Sequence, residues 1–334
     1  MKLTKHKCWQ HYFPLFGIGI GLAVILVVLP ATHSRVWGNE VVSGISRLSH
    51  DRYFSRVEYH ADPKSEEIEI EAVAREHNGH YWYQQGDYLK AINTWQQAIA
   101  AYIREPSPMS QARVWSNISL AYQNLGQWNA AQTAIDESLL LLHYIDTATN
   151  PCGFDVCSDY RRGLAQALNT QGRLFLSIGK PQDAFQAWSE AVTAYRDGSD
   201  SIGRIQAQLN LAQATQELGH HRQAIGQLTR LYGELQASLN DHHLSASQFQ
   251  HVSRLQPVIL RQQGDLYRLV GEVDRAQQLL QDGLAIAQQQ EYATEIGAIL
   301  FSLGQTHRAQ QEHEVALELY QQPYPFSPIL NFRP

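Results

Sequence analysis

Six times along the chain a small residue opens the same spaced pattern. In the first copy Gly79 is followed by Trp82, Gly86, Ala91, Trp95 and Ala98. The same offsets carry Ser119, Tyr122, Gly126, Ala131, Ile135 and Ser138, and then Gly172, Phe175, Gly179, Ala184, Trp188 and Ala191. Later copies keep Ala212, Gly219, Ala224 and Leu228, then Gly264, Tyr267, Gly271, Ala276 and Leu280. A sixth begins at Gly304 with His307, Ala316 and Tyr320. Recurrence on this scale constrains the fold more than any single residue does, because one short unit cannot bury its own apolar side and its copies must stack.

The pattern describes a two-helix hairpin. The leading small residue lies on a first helix, helix A, where a second, helix B, approaches closely. The aromatic three positions on shares its face, since i and i+3 are neighbours on a helix. The second glycine ends helix A in a left-handed conformation. The alanine of helix B is expected to pack beneath the leading small residue, and the large residue after it to fill the gap to the next hairpin. By position, Trp82, Trp95, Trp128 and Trp188 all read as core.

These residues resemble the tetratricopeptide repeat, whose consensus runs small, aromatic, Gly, Ala, aromatic, Ala on the same offsets. The resemblance covers roughly residues 62–320 and implies an all-α solenoid of five full hairpins and a partial sixth. It also implies that partners bind the concave face, on helix A away from the Gly/aromatic stripe. The residues expected there are Arg113, Gln123, Asn124, Gln166, Asn169, Arg173, Gln213, Gln216, Arg261, Arg268 and Arg308. The Lys/Asn clamp that some members use for C-terminal carboxylates is missing, with Glu76, His80, Ser116 and Leu120 at the corresponding places. The paired rhythm and "LNTQGRLFLSIG" (168–179) also resemble the repeat region of bacterial CHAT proteins, where a caspase-like protease domain follows. No βαβ pattern and no cysteine after 157 supplies such a domain here.

The leading positions are separated by 40, 53, 40, 52 and 40 residues, against about 34 for a standard copy. The two long steps hold inserts near 143–160 and 237–251, whose Asn, Pro and Gly residues predict loops. The array is expected over 62–322, opening at Asp62 and Pro63 and stopping where Pro323, Pro325, Pro328 and Pro334 forbid further helix. That leaves residues 36–61 as a linker or loose cap and 323–334 as an irregular tail. The last hairpin then keeps an uncovered apolar side, which suits self-association.

Residues 1–35 are of another kind. Lys2, Lys5 and Lys7 precede a stretch, 12–31, without any charge. A basic start before an apolar run predicts an export signal, either cleaved or kept as an anchor in the inner membrane. The rest of the chain then faces the far side of that membrane, and its only contact with lipid is through this segment. In such a compartment Cys152 and Cys157, within the first insert, either close a local disulfide or stay free thiols.

A formal net charge of −6 without a basic cluster in the array excludes a nucleic-acid binder. The histidines, among them His220, His221, His242, His243 and His313, fall in turns and inserts and form no recognised metal set. The sequence therefore predicts a scaffold for a protein or peptide, with no cofactor, metal or catalytic residues. Its alternative is a truncated or split regulatory part of a CHAT protease.

Overall fold

In the computed structural model the described residues are 63–148, 154–240 and 244–322. The chain divides into Met1–Ser55 and Arg56–Pro334, and the whole first unit lies outside the described residues. So do the export segment at 12–31, residues 323–334, Cys152, His242, His243 and the side chain of Cys157. Among the described residues no helix is long and apolar enough to cross a membrane.

The described residues form helices joined by short turns: α1 (Pro63–Gln84), α2 (Tyr88–Arg104), α3 (Pro108–Asn124), α4 (Trp128–Ala148), α5 (Phe154–Ser177), α6 (Pro181–Asp197), α7 (Ser201–Glu217), α8 (His221–Leu239), α9 (Ala246–Ser253), α10 (Leu255–Leu269), α11 (Val273–Gln289), α12 (Ala293–Ala309) and α13 (His313–Gln321). The hairpins are α1/α2, α3/α4, α5/α6, α7/α8, α10/α11 and α12/α13, each packed against the next.

Local chemistry sets the helix ends. The Asp87 carboxylate caps α2 by accepting from the Lys90 N–H, and Asp200 caps α7 through the Gly203 N–H. Pro108 and Pro181 occupy first turns, where a missing N–H costs nothing. Gly86, Gly126, Gly179, Gly219 and Gly271 end their A helices with φ between 67° and 84°. In each turn the next N–H folds back onto the carbonyl of the aromatic position, as in Asp87 N–H to Trp82 O at 3.0 Å and Lys180 N–H to Phe175 O at 2.8 Å. The sixth hairpin lacks that glycine, and Gln311 takes the place at φ 68°.

The large residue has a second role beside the expected one. It meets the next hairpin, as Trp188 meets Ala214 and Leu228 meets Ile259, and it also lies over the leading small residue of its own. A Cβ at Gly79 would stand 2.2 Å from the Trp95 ring, and one at Gly172 2.6 Å from Trp188. The same holds for Gly264 under Leu280, at 2.6 Å, and Gly304 under Tyr320, at 2.4 Å. Trp95 and Trp188 are buried, and each indole N–H donates to a helix A carbonyl, Glu76 O and Asn169 O, both at 3.1 Å. Ser119 makes the approach with a bond instead, its hydroxyl donating to Ala131 O at 2.8 Å. Ala91, Ala131, Ala184, Ala224 and Ala276 are all buried.

Trp128 departs from the core expectation. It opens α4 three positions before the buried Ala131 and is 40% exposed. Trp82 is half-buried, with the Lys90 ammonium 4.6 Å above its ring.

The predicted loops are mostly helix. The first insert lengthens α4 to 21 residues and α5 to 24, leaving only 149–153 between them. The second extends α8 to Leu239 and adds α9, which starts at a Ser245/Gln248 capping box. Arg254 joins α9 to α10, and Pro257, lacking an N–H, fixes the break there.

Between hairpins one stripe of helix A does the packing. It lies five positions before and two after the leading small residue. Val114 and Ala121, Ala167 and Leu174, Ala207 and Ala214, Ile259 and Leu266, and Ile299 and Thr306 are all buried. The apolar clusters place this stripe against the preceding hairpin, as with Ala214 on Ala184 and Trp188, or Ile259 on Leu228 and Leu235. In α1 the equivalent residues are Ala74 and Tyr81, and both are exposed. On helix B the matching position is Ile92 or Ile225, buried in α2 and α8, and Leu317, 56% exposed, in α13.

Candidate functional site: the helix A face

Successive A helices lie side by side, and polar side chains bridge them. From α1 to α3, the Glu76 carboxylate accepts from Arg113 Nε and Nη2 at 2.6 and 2.9 Å and from the Tyr102 hydroxyl at 2.9 Å. His80 Nε2 lies 3.4 Å from Asn117 Nδ2, and Asn124 Nδ2 donates to the Tyr83 hydroxyl at 2.9 Å. From α3 to α5, the Ser116 hydroxyl donates to Thr170 Oγ1 at 3.0 Å, and Gln123 Nε2 to Thr170 O at 3.1 Å. From α5 to α7, Asn210 Nδ2 donates to Asn169 Oδ1 at 2.8 Å. From α10 to α12, Arg261 Nε donates to Glu295 at 2.6 Å and the Ser302 hydroxyl to Asp265 at 3.2 Å. Arg268 stands 3.7 Å from the same Asp265.

Burial and charge act against each other in these ties. Burial disfavours ionised Glu76, but the bonds from Arg113 and Tyr102 outweigh it and hold its carboxyl below the ordinary range. Burial together with the Glu76 charge pushes the Tyr102 hydroxyl up to about 12. Burial lowers His80 despite that same neighbouring carboxylate. At Asp265 burial dominates over Arg261, Ser302 and Arg268 and raises the carboxyl.

The residues expected on the binding face thus divide. Gln123 does not belong to an open surface: it is buried, its amide donating to Thr170 O of the next helix A, α5. Arg113, Asn124, Asn169 and Arg261 are engaged with the neighbouring hairpin, though Arg113 and Asn124 remain exposed, and Arg268 faces Asp265 of its own helix. Gln216 is half-buried. Gln166, Arg173, Gln213 and Arg308 are exposed, and among the described residues no hydrogen bond or ion pair engages their side chains. Glu217, also exposed, shares the end of α7.

Glu76 is the residue that sequence reading under-weighted. It entered only as a departure from the carboxylate clamp. The signal that it is an internal partner is its register with Arg113, since the two lie 37 residues apart on adjacent A helices.

Among the described residues no group of three or more His, Cys, Asp or Glu side chains is arranged to hold a metal ion.

The hairpins have the tetratricopeptide-repeat fold. The family model described as tetratricopeptide repeat matches residues 255–325, which carry hairpins five and six, and the same geometry runs through the earlier hairpins. The match reaches the repeats alone, and the CHAT resemblance stays an expectation from sequence. Aspartyl phosphate phosphatase F from Bacillus subtilis is similar in structure, with a TM-score of 0.56 at 12% identity over 77% of this chain and 70% of that one. A Rap protein complexed with competence and sporulation factor follows at 0.55 and 12%, over 75% and 73%. The apo quorum sensor NprR from B. thuringiensis gives 0.54 and 12%, over 85% and 70%. At such identities the likeness is one of fold. No curated protein matches the sequence.

Proposed function

We propose that this chain is a non-catalytic scaffold whose helix A face binds a protein segment or peptide, exported or held at the inner membrane by residues 12–31. One observation carries the reading. Across an otherwise internally bonded face, Gln166, Arg173 and Gln213 stand exposed on the adjacent helices α5 and α7 without partners of their own among the described residues. Amide side chains there offer a donor and an acceptor each, which suits a peptide backbone, and Arg173 suits a carboxylate. Two proteins of similar fold support the reading at the level of class: the Rap protein was crystallised with competence and sporulation factor, and NprR with its cognate peptide NprX.

The test is selection of binders from a random peptide library on the full chain, followed by titration. The combined substitution Gln166→Ala, Arg173→Glu and Gln213→Ala is expected to weaken the selected peptides by about tenfold or more per lost strong contact, with an unchanged melting temperature. Peptides that bind the substituted chain equally well would remove the face from consideration. Protease accessibility in spheroplasts tests the location: a chain protected from added protease until lysis contradicts export.

A further inference from the structure

We infer that the two ends of the array are the halves of one seam, and that a second copy of this chain closes it head to tail. Inside the molecule the seam is made repeatedly: the stripe of one helix A lies against helix B of the hairpin before it. At α1 that stripe has no preceding hairpin among the described residues. Tyr81 is 53% exposed, and Ile70 and Val73, earlier on the same helix, are 63% and 54% exposed. At the α12/α13 end the complementary surface is open, with Leu317 of α13 56% and Phe301 of α12 40% exposed. Phe301 stands where Glu76, Ser116, Asn169 and Arg261 each reach the following hairpin, yet it is apolar and rests on Tyr320 at a ring separation of 5.6 Å.

Each open surface carries residues at positions that the internal seams bury, Ala74 and Tyr81 on α1 and Leu317 on α13, and a second copy continues an interface the chain already makes. The contact is heterologous: the α13 end of one copy meets the α1 end of the next, so dimers keep two open ends and can extend. Both rims are acidic, with Glu67 and Glu69 on α1 and Glu314 and Glu318 on α13 exposed. Association of this kind strengthens as salt screens the rims.

Sedimentation velocity of the full chain in a mild non-ionic detergent tests this, using Tyr81→Glu and Leu317→Glu. Wild type is expected to grow in mass with concentration and with added salt. Each variant alone is expected to weaken association by at least about tenfold, because every seam then contains one charged face. An equimolar mixture of the two variants is expected to recover one-to-one dimers, since the intact α13 end of one meets the intact α1 end of the other. Unchanged helical circular dichroism and melting temperature keep misfolding out of the result. Wild type that stays monomeric overturns the inference, and so does association that either variant leaves intact or that the mixture fails to restore. Loss of peptide binding on the helix A face would leave these outcomes untouched.

Discussion

At Gly172 the volume a side chain would need is already filled by the Trp188 indole, 2.6 Å from where a Cβ would stand. Gly226, inside α8, has nothing within 4 Å of the same point. One residue type therefore has opposite meanings at the two places. Gly172→Ala is expected to lower stability by about 1–3 kcal/mol through overpacking, and Gly226→Ala to raise it by about 0.5–1 kcal/mol through helix propensity. Thermal melts of the two variants beside wild type check both signs. The first glycine was legible in the sequence because it recurs on a fixed offset. What the offset did not show is which neighbour it accommodates. A small residue announces a close approach without naming the group that approaches, and only the geometry identifies the large residue sixteen positions on. Trp128 shows the converse. Its type suggests core, but its place at the very start of α4 leaves it 40% exposed.

At the scale of the helix, ends were better read than lengths. The glycine turns stand where the pattern puts them, and α13 stops at Gln321, just before the first tail proline. The loop expectation for the first insert differs from the structure because helix runs on to Ala148 and again from Phe154. Gln123 differs for another reason: Thr170 of the next helix A meets it, a contact between neighbouring copies that the pattern of one copy does not show. The sixth turn gives a prediction at this scale. Gln311 holds φ 68° where five other hairpins use glycine, and a residue with a Cβ is strained there by about 1–2 kcal/mol. Gln311→Gly is therefore expected to stabilise the last hairpin by about 1 kcal/mol once the entropy cost of glycine is deducted. Hydrogen exchange of α12 and α13 amides should slow accordingly, and an unchanged or faster rate would contradict the assignment.

For the molecule as a whole, stability is the sum of hairpins and the seams between them. The seams differ in chemistry: charged at α1/α3 and α10/α12, neutral at α3/α5 and α5/α7. The Glu76 tie makes the first seam acid-sensitive. Its carboxyl is depressed in the folded state, so its contribution is complete above the ordinary carboxylate range and is lost as pH falls through the folded value. Glu76→Gln is expected to cost about 1–3 kcal/mol near neutral pH, as a charge-assisted bond does. The difference from wild type should shrink in acid, and urea titrations at neutral and acidic pH measure it. A penalty that stays constant across that range would show that shape rather than charge holds the seam.

The turns and seams share a further property. Among the side-chain bonds described, the partners most distant in sequence are Ser116 and Thr170, 54 residues apart. No part of the array has to wait for the far end of the chain. Such a polypeptide can set its structure from the front as it emerges through a narrow opening, each unit finding its template in the one just completed.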